Sequence, residues 1–315
     1  MDSAELQKLA MTSRSTREAG ITLLFASGIL ALFLFLSPAS GNQVPSAITI
    51  ATSTVPSAFA QVSPEAKAAI VFDLATGETL YAKNADAQLP LASLTKLLTV
   101  YAALAELPPE TPILIPDSVR RVEAPRVFSI GQTFSLSDLA RLTLTASLND
   151  GAVAIAHAIA EHRGESESVM LASAAAALDL SQTYAVNGSG LDMSTAVSGG
   201  YGSAYDLARL AGALVKQAPA IARATTESSA QATSAGGTHF SVKNTDPMVG
   251  VIPRLLLSKT GYTDLAGGNL ALVFDAGIGH PIAVVVLGSS KQARFTDGTA
   301  LVAATLAHFA GVSSL

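Results

Sequence analysis

The chain has 315 residues, 49% of them hydrophobic, enough for one large packed domain or two small ones. Lys and Arg number 19 against 24 Asp and Glu, a net charge of -5 with no basic run, so nucleic acid is not an expected partner. The absence of cysteine excludes a thiol nucleophile and a thiolate zinc site, and the five scattered histidines lack the H-E-x-x-H spacing of a metallopeptidase.

The N-terminal stretch Ala19 to Ser40 carries no charge, and its centre, Ile21 to Leu36, reads ITLLFASGILALFLFL. At about 18 usable apolar residues it is near the lower limit for a spanning helix and slightly long for a cleaved signal. Arg14 and Arg17 precede it and no charge follows until Glu65, which puts residues 1-18 in the cytoplasm and the rest outside. Residues 19-40 are therefore read as a transmembrane anchor, with cleavage near Ser37 and Ala39 as the alternative. Residues 41-64, rich in Ser, Thr, Pro and Ala, are expected to be a flexible linker that holds a domain of residues 65-315 roughly 25–30 Å from the membrane.

Within 65-315, Ala68 to Asp73 and Thr79 to Lys83 flank an Ala-Thr-Gly-Glu turn and predict a hairpin. Helical spacing of apolar residues then runs from Leu94 to Leu104, Leu136 to Ala146, Ala152 to His162, Val169 to Leu180 and Tyr205 to Val215. Ala224 to Gly237 is small and polar and is expected to be a mobile loop. Strand patterns return at His239 to Lys243, Leu255 to Lys259, Asn269 to Phe274 and Ile282 to Gly288, before a closing helix at Thr299 to Ala310. Strands at both ends with helices between them predict an α+β fold. Its antiparallel sheet would come from the N- and C-terminal strands, covered by helices, with a helical subdomain inserted.

Three short patterns carry candidate chemistry. Ser93 and Lys96 lie one helical turn apart in LASLTKLL, so a lysine could serve as base to a serine nucleophile if burial or a second cation lowers its pKa. The Ser93 N–H, at a helix start, could face a developing oxyanion. Ser147 and Asn149, in TASLNDGA between two helices, could supply a proton relay and an amide donor. Lys259, Thr260 and Gly261 end an apolar strand and offer a cation, a hydroxyl and open backbone, while the Tyr262 N–H is a candidate second oxyanion donor. Taken singly, each pattern is equally ordinary punctuation: an N-cap serine, a helix cap at Asn149 or Asp150, a strand-to-turn transition.

Taken jointly, their order and spacing match the S-x-x-K, S-x-N and K-T-G set. The chain resembles the low-molecular-mass penicillin-binding proteins of the D-alanyl-D-alanine carboxypeptidase type, with further likeness at Asn187 to Asp192 (NGSGLD), Tyr205 to Ala208 and Gly261 to Asn269. The resemblance implies a β-lactamase/transpeptidase-like fold, a Ser93 acyl-enzyme with Lys96 as base, and Ser147 and Asn149 lining the cleft. It further implies that Lys259 and Thr260 hold a terminal carboxylate, with Lys243 and Arg294 where the family places further cations. A peptidoglycan stem peptide is the implied substrate, β-lactams are the implied covalent inhibitors, and no cofactor is implied. The sequence departs from the family in having Leu148 and Gly151 where a smaller residue and Ala are commoner. DD-endopeptidase activity at the same site is one alternative. A β-lactamase is another, although Glu161, Glu165 and Glu167 lack an E-x-x-L-N context, and a non-catalytic penicillin sensor is the third.

Overall fold

The computed structural model describes residues 57-277 and 279-311. Its centre is an antiparallel sheet in the order β10-β11-β12-β1-β2, built from β1 (Ala68–Asp73), β2 (Thr79–Lys83), β10 (Leu255–Thr263), β11 (Gly267–Asp275) and β12 (Pro281–Ser289). Both ends of the chain thus meet in one sheet, with Ala69 opposite Val286 and Val71 opposite Val284. Every residue of β1 is buried, because the pleat sends alternate side chains into two separate cores. Ala68, Ile70 and Phe72 join Ala283, Val285 and Leu287 on the face covered by most of the helices. Ala69 and Val71 join Ile282, Val284 and Val286 on the other, under the closing helix α7 (Ala293–Phe309).

The helical layer comprises α1 (Thr95–Glu106), α2 (Leu136–Ala146), α3 (Asn149–Arg163), α4 (Glu167–Ala177), α5 (Ala204–Gln217) and α6 (Pro219–Ala224). Serine caps start three of them: Ser135, Ser166 and Ser203 accept from the N–H of Asp138, Val169 and Asp206. Small antiparallel pairs complete the fold: β4 (Pro112–Leu114) with β5 (Thr133–Ser135), and β3 (Leu89–Pro90) and β6 (Tyr184–Ala185) on either side of β7 (Gly200–Gly202). The sheet of terminal strands beneath a helical insertion is the α+β arrangement expected from the sequence.

Two expectations need correction. The stretch read as a mobile loop contains β8 (Ser229–Thr233), paired with β9 (His239–Lys243) and packed on α2. Ala230 and Ala232 are buried on one face while Gln231 and Thr233 are exposed on the other, a strand alternation that small side chains hide from a hydropathy reading. The end of the expected linker is also packed. Ser57–Phe59 form a 3-10 turn, and the Phe59 ring, 1% exposed, lies 5.8 Å from Tyr81 and 6.1 Å from His308. A single aromatic residue in a polar setting has no periodicity by which to be read. The proposed anchor, residues 19-40, and residues 1-18 and 41-56 lie outside the described residues. Among the described residues no helix is long and apolar enough to cross a membrane.

Candidate active site

Ser93 sits in a 3-10 turn, Ala92–Leu94, that runs directly into α1. The turn is tightly constrained. Ala92 has φ 49, in the left-handed region that non-glycine residues avoid, so the surrounding structure must hold it there. Two glycines allow that packing. A Cβ on Gly190, itself at φ +75, would lie 1.9 Å from the Ala92 carbonyl oxygen, and a Cβ on Gly261 would lie 3.3 Å from the Ser93 nitrogen. Strand β10 and the loop around Gly190 therefore close on the Ser93 turn from two sides.

Lys96, one turn into the helical segment, is fully buried. Its Nζ lies 2.7 Å from Ser93 Oγ, 2.7 Å from Asn149 Oδ1 and 2.7 Å from the Ser189 carbonyl. Burial lowers its pKa to about 7, against an opposing pull from the nearby Asp150 carboxylate. A neutral amine has two N–H bonds and one lone pair. The Ser189 carbonyl and Asn149 Oδ1 only accept, so they take both N–H bonds and leave the lone pair for the Ser93 hydroxyl proton. The Asn149 amide is fixed in this sense because its Nδ2 donates to the Glu123 and Ala124 carbonyls, each at 3.0 Å. The Ser189 carbonyl is aimed by Asn187, whose Oδ1 accepts from Ser189 N–H, Ser189 Oγ and Gly190 N–H.

Ser147 occupies the C-cap of α2 at φ 58 and ψ 37, and Asn149 begins α3. Neither Asn149 nor Asp150 caps α3: its N-cap is Leu148, without a side-chain cap, and the Asn149 amide turns to Lys96 instead. Lys259 Nζ donates to Ser147 Oγ at 2.8 Å and to the Thr260 carbonyl at 2.6 Å. At 1% exposure this amino group is not open to solvent. Its pKa is held well below the usual lysine range, first by burial and then by repulsion from Lys96 and Arg294. Burial lowers both lysines, and the repulsion between them belongs to the pair rather than to either one.

Thr260 Oγ1 pairs with Thr245 Oγ1 at 2.6 Å, a partner that no sequence pattern marked. Tyr262 is 44% exposed, and the Lys291 ammonium lies 5.2 Å from its ring centroid. Arg294 is 7% exposed and its Nη1 donates to the Gly261 carbonyl, so it meets the site through the backbone of β10 rather than as a free cation. Lys243, exposed at the end of β9, has no hydrogen bond to any of these groups. A cleft of about 810 Å³ extends from Tyr262 between Glu123, Ala124 and the Leu191 to Thr195 loop.

A helix-covered antiparallel sheet, with a serine hydroxyl facing the lone pair of a buried lysine, defines a serine-type acyl-transfer hydrolase. The chain matches the D-alanyl-D-alanine carboxypeptidase family over residues 54–291, more than half its length, and belongs to that family. It is 29% identical to the D-alanyl-D-alanine carboxypeptidase DacF of Bacillus subtilis, over 78% of this chain and 66% of that one, so it spans just under two thirds of that relative. It is 30% identical to a D-alanyl-D-alanine endopeptidase of Pseudomonas aeruginosa, over 82% of this chain and 87% of the other. Among solved structures it is similar to the ampicillin-bound form of penicillin-binding protein D2 from Listeria monocytogenes. The TM-score is 0.65 at 27% identity, covering 78% of this chain and 98% of that one.

Proposed function

We propose that this chain is a serine-type D-Ala-D-Ala carboxypeptidase that removes the terminal D-alanine of a peptidoglycan stem peptide through a Ser93 acyl-enzyme. The observation that carries the reading is the buried Lys96, with a pKa near 7 and its lone pair left for Ser93. Ser93 Oγ attacks the penultimate carbonyl as its proton passes to Lys96 Nζ. The Ser93 and Tyr262 N–H groups receive the oxyanion. Collapse of the tetrahedral adduct breaks the peptide bond, and the departing D-alanine amine takes its proton by way of Ser147. Water then hydrolyses the ester and frees Ser93. Asn149 lines the cleft, while the Thr260 hydroxyl and the open backbone at Gly261 receive the substrate end. Lys259 and Arg294 stand behind as positive charge for its carboxylate.

A second reading, DD-endopeptidase action at the same site, is supported by the 30% identity to the Pseudomonas aeruginosa endopeptidase. A β-lactamase is less well supported, because Glu161 and Glu165 are spent on surface pairs with His157 and Arg163. The likeness to ampicillin-bound penicillin-binding protein D2 supports β-lactams as acylating inhibitors of this chain. The uncharged Ile21 to Leu36 run supports an anchor that holds the site outside the membrane, and fractionation of the full chain against one lacking residues 1-40 tests it.

The deciding experiment is labelling with a fluorescent penicillin, followed by mapping of the adduct and assay of D-alanine release from a pentapeptide. A Ser93 adduct, lost in Ser93→Ala together with D-alanine release, is expected. A label on another residue, or none on the folded chain, overturns the proposal. Cleavage of a cross-linked dimer without D-alanine release moves the reading to endopeptidase.

A further inference from the structure

Asp150 follows Asn149 in the first turn of α3, and its carboxylate has no exposure to solvent. A buried carboxylate is costly unless its oxygens are bonded, so its partners reveal what it holds. Oδ2 accepts from the N–H of Val127 at 2.6 Å and of Phe128 at 2.8 Å, and Oδ1 from the N–H of Gly151 at 2.9 Å. Val127 and Phe128 belong to the loop that follows Arg121, and this same loop carries the acceptors that orient Asn149. The Glu123 and Ala124 carbonyls accept from Asn149 Nδ2, and the Pro125 carbonyl accepts from the Asn149 N–H at 2.8 Å. Phe128 seats the loop further, with its ring centroid 4.9 Å from that of Phe134 and 5.4 Å from that of Phe240.

We propose that Asp150 is a positioning residue for acylation: its carboxylate clamps the 123-128 loop, and the clamped loop keeps the oxygen of the Asn149 amide, not its nitrogen, turned to Lys96. The chemical consequence is specific. If Asn149 Nδ2 faced Lys96 instead, it would donate to the neutral amine and compete with the Ser93 hydroxyl for the single lone pair. The inference rests on the reading of Ser93 and Lys96 given above.

Asp150 also acts through its charge, since its carboxylate raises the pKa of Lys96 against the effect of burial. Burial pushes the Asp150 carboxyl itself up, opposed by the N–H bonds of Phe128, Val127 and Gly151. The other charged groups on the surrounding elements are already engaged or lie beyond the carboxylate. Lys259 on β10 is tied to Ser147, and Arg126 on the loop donates to the Arg120 carbonyl. Glu123 is exposed, Asp117 pairs with Arg120, and Glu167 on α4 accepts from Gly188 N–H.

Two variants separate clamp from charge. Asp150→Asn removes the charge and one acceptor. Val127→Pro removes one clamped N–H at an exposed position and leaves the charge. The second-order rate of penicillin acylation is measured against pH, per folded molecule counted by circular dichroism, with the wild-type adduct mapped. Asp150→Asn is expected to lose roughly 10- to 100-fold in rate and to move its acidic limb to lower pH. Val127→Pro is expected to lose rate with the limb unmoved. Rates that fall only with the folded fraction, in either variant, or an unmoved limb in Asp150→Asn overturn the inference. A wild-type adduct away from Ser93 overturns the underlying reading instead.

Discussion

Lys259 Nζ donates to Ser147 Oγ at 2.8 Å, which joins strand β10 to the left-handed C-cap of α2. The hydroxyl is thereby held by a buried amine, and the backbone beneath it favours glycine over any side chain. Ser147→Gly removes the hydroxyl without opposing the φ of 58. It is expected to slow penicillin acylation by about 100-fold or more, the scale of a lost proton-transfer group, with the melting temperature little changed. Stopped-flow acylation and thermal melting of the same sample check it. A rate equal to wild type would remove Ser147 from the proton path.

The pH dependence of acylation follows from Lys96. With its pKa lowered to about 7, the amine is neutral above that value and protonated below it, where the lone pair that takes the Ser93 proton is gone. Acylation should therefore rise with pH on an acidic limb near 7 and fall about tenfold per unit below it. A limb near the usual lysine value would mean that burial does not depress the group.

The same burial makes Lys96 a cost to folding. Between about pH 7 and 10.5 the unfolded chain binds a proton at this lysine that the folded chain does not, so stability rises with pH across that window. Below about 7 the penalty is complete. Lys96→Met is expected to abolish acylation yet raise the melting temperature at pH 6, with the gain shrinking toward pH 10. At about 1.4 kcal/mol per pKa unit the gain is a few kcal/mol, offset in part by the Asn149 and Ser189 acceptors left without a partner. A variant no more stable than wild type at pH 6 would contradict the desolvation.

Ser93 and Ser147 were legible because each stands at a boundary between elements, where side-chain identity and backbone pattern change together: Ser93 precedes α1 and Ser147 closes α2. Lys259, expected at the end of a strand, lies within β10, which runs on to Thr263 through the polar Thr260, Gly261 and Tyr262. Elements with strong periodicity were equally readable: β1, β2, β9 and α2 have the limits that their patterns predict. What escaped depends on contacts distant in sequence. Asp150 reads as a helix cap until the loop 22 and 23 residues upstream is seen to donate to it. The Ser189 carbonyl offers no side-chain signal at all, although the Asn-Gly-Ser-Gly run around it marks a turn. Arg294 stands alone in sequence, and only the antiparallel sheet places Gly261 against it.

The start of the packed domain depends on Phe59, which lies at the foot of α7 and is 1% exposed. Nearby ties point the same way. The N–H groups of Glu65 and Ala66 donate to the Asp297 carboxylate at 3.0 Å each, and Lys83 Nζ donates to the Pro64 carbonyl at 2.7 Å. The N-terminal segment is thus fastened to both α7 and β2. Phe59→Ala leaves a cavity and should cost about 3 kcal/mol, at the low end for buried aromatic truncations because the exposed Ala60 and Gln61 follow it directly. Chemical denaturation of a chain beginning near residue 53 measures it. Penicillin acylation of the folded fraction should be unchanged, since Phe59 lies in the core on the far side of the sheet from Lys96. A stability change within 0.5 kcal/mol, the scale of a surface substitution, would return residues 57-64 to the linker.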